Sequence, residues 1–203
     1  VHEFVNLGQF KKWLDAAAYP VTIDPDFSVT SAAGDTRLLD VSVGPTKNYG
    51  AAVELSVGRF LGDYNRHRSL IRFDVSSVEN TVTSATLDIY ISNATYSYAN
   101  TIVDVYGITS ANGDWIEGTK NGVAAGSGEP CWNAKKADGS GGVTTAWAGS
   151  AGLTTAGTDY VDTVIGYFTM PSTISLNAKV TATISADLIN DWIAGNNYGL
   201  LLR

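Results

Sequence analysis

Apolar residues recur at every second position through most of this chain, and that alternation constrains the fold more than any other feature. In residues 69–75, Ile71, Phe73 and Val75 share one face of an extended segment, and Leu70, Arg72 and Asp74 share the other. Ala85, Leu87, Ile89 and Ile91 alternate with Thr86, Asp88, Tyr90 and Ser92. Successive side chains of a strand point to opposite faces, so the pattern predicts β-strands with at least one buried face. Similar stretches run over 53–57, 102–108, 161–168, 179–184 and 198–202. Eight or so strands separated by turn residues predict an all-β chain, an antiparallel jelly-roll β-sandwich.

Two stretches break the period. Leu7, Phe10, Leu14 and Ala17 fall three and four residues apart, with Lys11, Lys12 and Asp15 on the other side. This is the spacing of a short amphipathic helix over 7–17. Tyr19-Pro20 ends it, because the residue before proline avoids the α region. The helix divides the chain into an N-terminal appendage, 1–20, and a sandwich domain, 21–203. A helix this short is marginal alone in water. Leu7, Phe10, Leu14 and the adjacent Trp13 therefore read as an assembly surface, for a protein partner or for a second copy of the chain. A second short helix precedes the last strand. Leu188, Ile189, Trp192 and Ile193 form its apolar face, Ser185 or Asp187 caps its start, and Gly195 ends it.

Charge and residue usage narrow the function. The net charge is −7, which argues against nucleic acid, whose phosphates call for clustered Lys and Arg. No apolar run approaches 18 residues, so membrane insertion is not expected. The chain opens on Val1 rather than Met, as in a processed or excerpted piece of a longer chain. Nucleophilic catalysis needs a base beside the nucleophile. The two histidines, His2 and His67, come with no orienting carboxylate in sequence, and there is no G-x-S-x-G elbow. Cys131 is the lone cysteine, and a single cysteine is more often a small buried hydrophobe. No catalytic residue is assigned, and no cofactor is required.

Candidate binding residues fall in three places. Tyr96 and Tyr98 share a face in a hairpin-like segment, 93–100, where sugar rings can stack on exposed aromatic faces. Residues 110–160 are rich in glycine and hold Trp115, Trp132 and Trp147. A loop that long is unusual in a compact domain unless it is functional. Its tryptophans are either sugar-stacking faces or buried plugs that hold the loop down. Arg66 and Arg68, beside Arg59 and His67, form the one basic cluster, either a site for an acidic polysaccharide or a solvated hairpin tip. Asp114, Glu117 and Asp159 offer oxygen ligands for a structural calcium, or are solvated loop carboxylates.

Several of these stretches resemble DNRLRE-type domains. Asp35-Thr36, Asn48-Tyr49-Gly50 and Leu55-Ser56-Val57-Gly58 are similar to their opening. Ser69-Leu70-Ile71-Arg72-Phe73-Asp74-Val75 is similar to their central strand, and Thr83-Ser84-Ala85-Thr86-Leu87 to the strand after it. Trp115-Ile116-Glu117-Gly118 and Trp132-Asn133 resemble their Trp motifs, with Cys131 where threonine is usual. Asn197-Tyr198-Gly199-Leu200-Leu201-Leu202 resembles their closing strand. The resemblance covers about residues 30–203. It implies a jelly-roll sandwich that serves as an accessory module beside enzymes, in cell-surface proteins or in phage structural proteins. Some relatives bind polysaccharides, alginate among them. The expectation is a non-catalytic, surface-displayed module that positions a larger protein or particle on a polysaccharide. The alternative is a structural decoration or fibre subunit of a virion or cell-surface assembly. Either places the chain outside the cell, on a cell surface or on a virion.

Overall fold

The computed structural model describes residues 27–41, 44–59, 66–92 and 100–203. In chain order these form β1 (Gly34–Asp40), β2 (Lys47–Asn48), β3 (Gly58–Arg59), β4 (Arg66–Arg72), β5 (Ala85–Tyr90) and β6 (Ile102–Gly107). There follow β7 (Val123–Ala124), β8 (Lys136–Ala137), β9 (Val143–Thr145), β10 (Gly166–Thr169), β11 (Lys179–Ile184), helix α1 (Ala186–Ile193) and β12 (Leu200–Leu202). The 7–17 helix and its assembly residues Leu7, Phe10, Trp13 and Leu14 lie outside the described residues.

Eight strands make one antiparallel sheet in the order β1-β4-β12-β6-β10-β11-β5, with β3 also paired to β4. The alternation read from the sequence sets which side chains face which way. On the inner face, Ile71 of β4 and Leu87 of β5 belong to one core with Val105, Phe168, Val180, Ile184, Leu200 and Leu202. Strands far apart in the pairing order thus meet in one cluster, so the sheet curls into a half-barrel around it. Helix α1 closes the opening: Trp192 is buried there, and Leu188, Ile189 and Ile193 pack beside it. Its start is capped by the Ser185 hydroxyl, which accepts from Leu188 N–H at 3.4 Å. Gly195 ends it at φ 99°, a conformation that costs glycine little.

The all-β antiparallel expectation holds as one curled sheet, and the described residues do not show the finer jelly-roll arrangement of two facing sheets. The sheet's second layer is mostly irregular chain. Leu38, Leu70 and Leu201 point outward from β1, β4 and β12 and are buried under Trp115, Trp132, Trp147, Leu153 and Tyr160. The strands of that cover, residues 108–160, are only the short β7, which pairs with β2, and the β8–β9 pair, which shifts register. Its glycines and turn residues stop each strand before a second sheet can grow. Residues 53–57 also depart from expectation. They alternate in sequence but form no strand, and Val53 is 99% exposed. Conversely, β1 pairs with β4 over seven residues, from Gly34↔Arg72 to Asp40↔Arg66, although its own alternation is weak.

Candidate functional site

The outer face of the sheet is covered over only half its width. Register fixes the other half. Asp104 pairs with Tyr167, and Ile102 with Thr169. Thr183, Thr181 and Lys179 of β11 pair with Thr86, Asp88 and Tyr90 of β5. Paired residues share a face, and the inner face here belongs to Val105, Phe168, Val180, Ala182 and Leu87. The ten residues named above are therefore outward or rim positions, and all but Asp104 are exposed. Among the described residues nothing covers them. Tyr90 and Tyr167 are 66% and 57% exposed, and both stand on strands rather than loops, which fixes their rings in place.

Polar groups surround these rings. The Asp88 carboxylate accepts from Thr181 Oγ1 at 2.5 Å and from Lys179 Nζ at 3.1 Å. Those two bonds, the hydroxyl's first, hold its carboxyl below the usual range. Asp88 raises Lys179 in return. Asp104 sits half-buried beside Tyr106, whose hydroxyl donates to its Oδ2 at 3.5 Å. A shallow depression lies between Tyr167 and Ile102, with Asp104, Thr183 and Val164 around it. At the seam with the covered half, Tyr106 meets Tyr160 edge-on at 4.8 Å. The Arg203 guanidinium stacks on both rings and donates to the Tyr160 hydroxyl.

The covered half holds most of the residues singled out from the sequence, and it uses them for structure. Trp115, Trp132 and Trp147 are 2%, 3% and 3% exposed. Their ring faces meet protein, so the sugar-stacking reading gives way to that of buried plugs. Trp115 Nε1 donates to Tyr198 O at 2.9 Å, and Trp147 Nε1 to Cys131 O at 3.0 Å. Gly152, at φ 69°, lies so close to the Trp132 ring that a Cβ there would sit 2.5 Å from it. Arg68 is buried and donates to Gly152 O and, at 2.6 Å, to Leu153 O. Burial, then the neighbouring Arg203 and Arg66 charges, pull its pKa down to about 10. Arg66 pairs with Asp40 and lies 5.1 Å from the Trp132 ring centre. The two arginines thus clamp the cover onto β4, and Arg68 has no face to offer an acidic polymer.

The three carboxylates considered for calcium are held apart. Asp159 is fully buried. Its oxygens accept from the backbone of Gly149 (2.8 Å), Ser150 (3.1 Å) and Thr155 (2.9 Å), and from Asn112 Nδ2 (3.0 Å). Asp114 is bonded to Lys135 and Lys136, which lower its pKa to about 2. Glu117 is raised by burial and then by the nearby Asp35 charge. Among the described residues, no three His, Cys, Asp or Glu side chains come together to hold a metal.

Tyr96 and Tyr98 lie outside the described residues. Their flanks, Ile91 and Asn100, bond to Ala178 and Met170 at the end of the open face that carries Tyr90, Lys179 and Thr169. The face itself was missed as a site. Its signal was present in the polar half of the alternation, where Thr86, Asp88 and Tyr90 occupy every second place.

The model of carbohydrate-binding module family 96 matches residues 29–121, just under half of the chain. The matched stretch contains β1 to β6, and so two of the four strands of the open face. No curated protein matches the chain. Among the described residues no helix is long and apolar enough to cross a membrane.

Proposed function

We propose that this chain is a non-catalytic carbohydrate-binding module, and that it holds a larger protein or particle against a polysaccharide through the open half of its sheet. The observation that carries the reading is the family match over residues 29–121. The open face supports it with two exposed tyrosines fixed on strands and with carboxylate and hydroxyl groups between them. Sugar rings offer C–H surfaces to aromatic faces, and their hydroxyls pair with such polar groups. Tyr96 and Tyr98 belong to the same proposal as sugar-stacking residues. The finer DNRLRE-type assignment and an extracellular or cell-surface location belong to the same proposal.

The groups best suited to nucleophilic chemistry are engaged elsewhere. Burial, the first influence on it, pushes the Cys131 thiol up. The His67 ring lies within hydrogen-bond distance of Ser56 Oγ at 3.0 Å, and burial and Arg37 lower its pKa. The alternative expected from the sequence, a virion or cell-surface decoration, gains no contact from the described residues.

Gel electrophoresis through immobilised polysaccharides tests the reading. The wild-type chain should be retarded by at least one polysaccharide, and Tyr90→Ala/Tyr167→Ala should lose most of the retardation without change in melting temperature. Undiminished retardation of the double variant would move the site off the open face.

A further inference from the structure

The mouth of the half-barrel keeps a groove of about 620 Å³ beside α1. One wall is the edge of β5, the last strand in the pairing order, which pairs only with β11 among the described residues. The other walls are the chain leading into β1, residues 27–30, and the loop over 77–83. Asn190 of α1 holds that loop, accepting from Val82 N–H at 2.9 Å and donating to Val82 O at 3.0 Å. We infer that this groove is the seat of the chain's own amphipathic stripe, Leu7, Phe10 and Leu14, rather than that of a second copy.

The groove has the surface such a stripe needs. Phe73, Val78 and Ile189 pack on the inner core yet stay half-buried where they line it. Phe27, at its rim, is 50% exposed. Covering apolar surface of this kind is favourable roughly in proportion to its area. Among the described residues, Glu79 and Asp88 are the only charged side chains that line it, and Asp88 is already paired with Lys179. The stripe carries Lys11 and Lys12 on its polar side. Docking its apolar side therefore brings cations to an acidic rim.

Length fits as well. The stripe runs over 7–17, about 16 Å as a helix. The β5 wall, residues 84–88, is also about 16 Å long. Residues 18–26 join the stripe to Phe27 and reach about 30 Å when extended. Phe27 stands on the groove itself, so the tether spans the distance with chain to spare. A short flexible tether holds its end at about millimolar effective concentration, which favours the chain's own stripe over one from another molecule. A helix this short takes its stability from packing, and the groove offers it a face.

Hydrogen exchange and native mass of the full chain test this. Leu7→Ser/Leu14→Ser should speed amide exchange over residues 78–88 by about tenfold, with β4 and β12 unchanged. The mass should be that of a single chain before and after. From the groove side, Val78→Lys sets a cation against Lys11 and Lys12 and should move the Trp13 indole signal. Unchanged exchange over 78–88 would overturn the inference, as would an unmoved Trp13. Equal speeding in β4 and β12 would also overturn it, because the stripe would then support the whole core and not this groove. A wild-type dimer that Leu7→Ser/Leu14→Ser splits would overturn it in favour of a second copy.

Discussion

The two cores on either side of the sheet solve the same problem differently. On the inner face, aliphatic side chains at every second position meet across paired strands, and the backbone amides satisfy each other. On the outer face behind β1, β4 and β12, the cover is irregular chain, and its amides need other partners. Buried polar side chains supply them. Asn48 is fully buried and joins three segments: its amide donates to Glu117 O and Pro130 O at 3.0 Å, and its Oδ1 accepts from Gly50 and Lys120. Glu129 accepts from Thr119 and Gly126 backbone, and Asp159 gathers four donors. A regular core tolerates loss of one contact by repacking. A cover organised by single side chains loses several hydrogen bonds with each.

The largest effect should come from Asp159→Ala. It takes the side-chain acceptor from three part-buried backbone amides and from the buried Asn112 amide, which keeps only Asp159 O at 3.4 Å, a loss of about 5 kcal/mol when each orphaned group costs about 1–3. Hydrogen exchange should show residues 147–160 losing protection while β11 and α1 keep theirs. Equal loss on both sides would mean that the cover and the inner core unfold as one unit. Trp132→Ala should follow, at about 4 kcal/mol for a buried aromatic removed to a cavity, read from denaturant unfolding. On the inner side, Ser185→Ala removes only a helix cap and should cost about 1 kcal/mol; a cost above 3 would break the contrast.

The smallest effect is a pH effect. Asp114, lowered from 3.8 to about 2 by Lys135 and Lys136, contributes stability that is present above its unfolded value. It is lost as the pH falls through the folded value. Asp114→Asn should therefore flatten the fall in melting temperature between about pH 4 and about pH 2. An unchanged slope would remove Asp114 from the account.

The inner core was legible because a strand's period writes its buried side into the sequence: β5, β6, β11 and α1 stand where the alternation and the Leu188–Ile193 stripe put them. The sheet's pairing order was not legible, since periodicity reports faces and not neighbours. For the same reason the 110–160 loop was legible as a loop, but the face of the sheet that it covers was not. The tryptophans illustrate the limit at the site. Sequence marked Trp115, Trp132 and Trp147 as notable without saying whether they point in or out, and packing against Leu38, Leu70 and Leu201 turns them inward. Tyr90 was read only as an alternating strand position, and Tyr167 only as part of the 161–168 stretch. Their importance depends on what does not cover them, which no local pattern records.

The central claim is that the outer face is divided into a structural half and a binding half. Chemical-shift mapping of the labelled chain during titration with oligosaccharides of a polysaccharide that retards it in gel electrophoresis tests it most directly. The account predicts shifts at Asp88, Tyr90, Asp104, Tyr167, Thr181 and Thr183, with Trp115, Trp132 and Trp147 side-chain signals unmoved. Shifts concentrated on those three indoles, with β5, β10 and β11 silent, would contradict it.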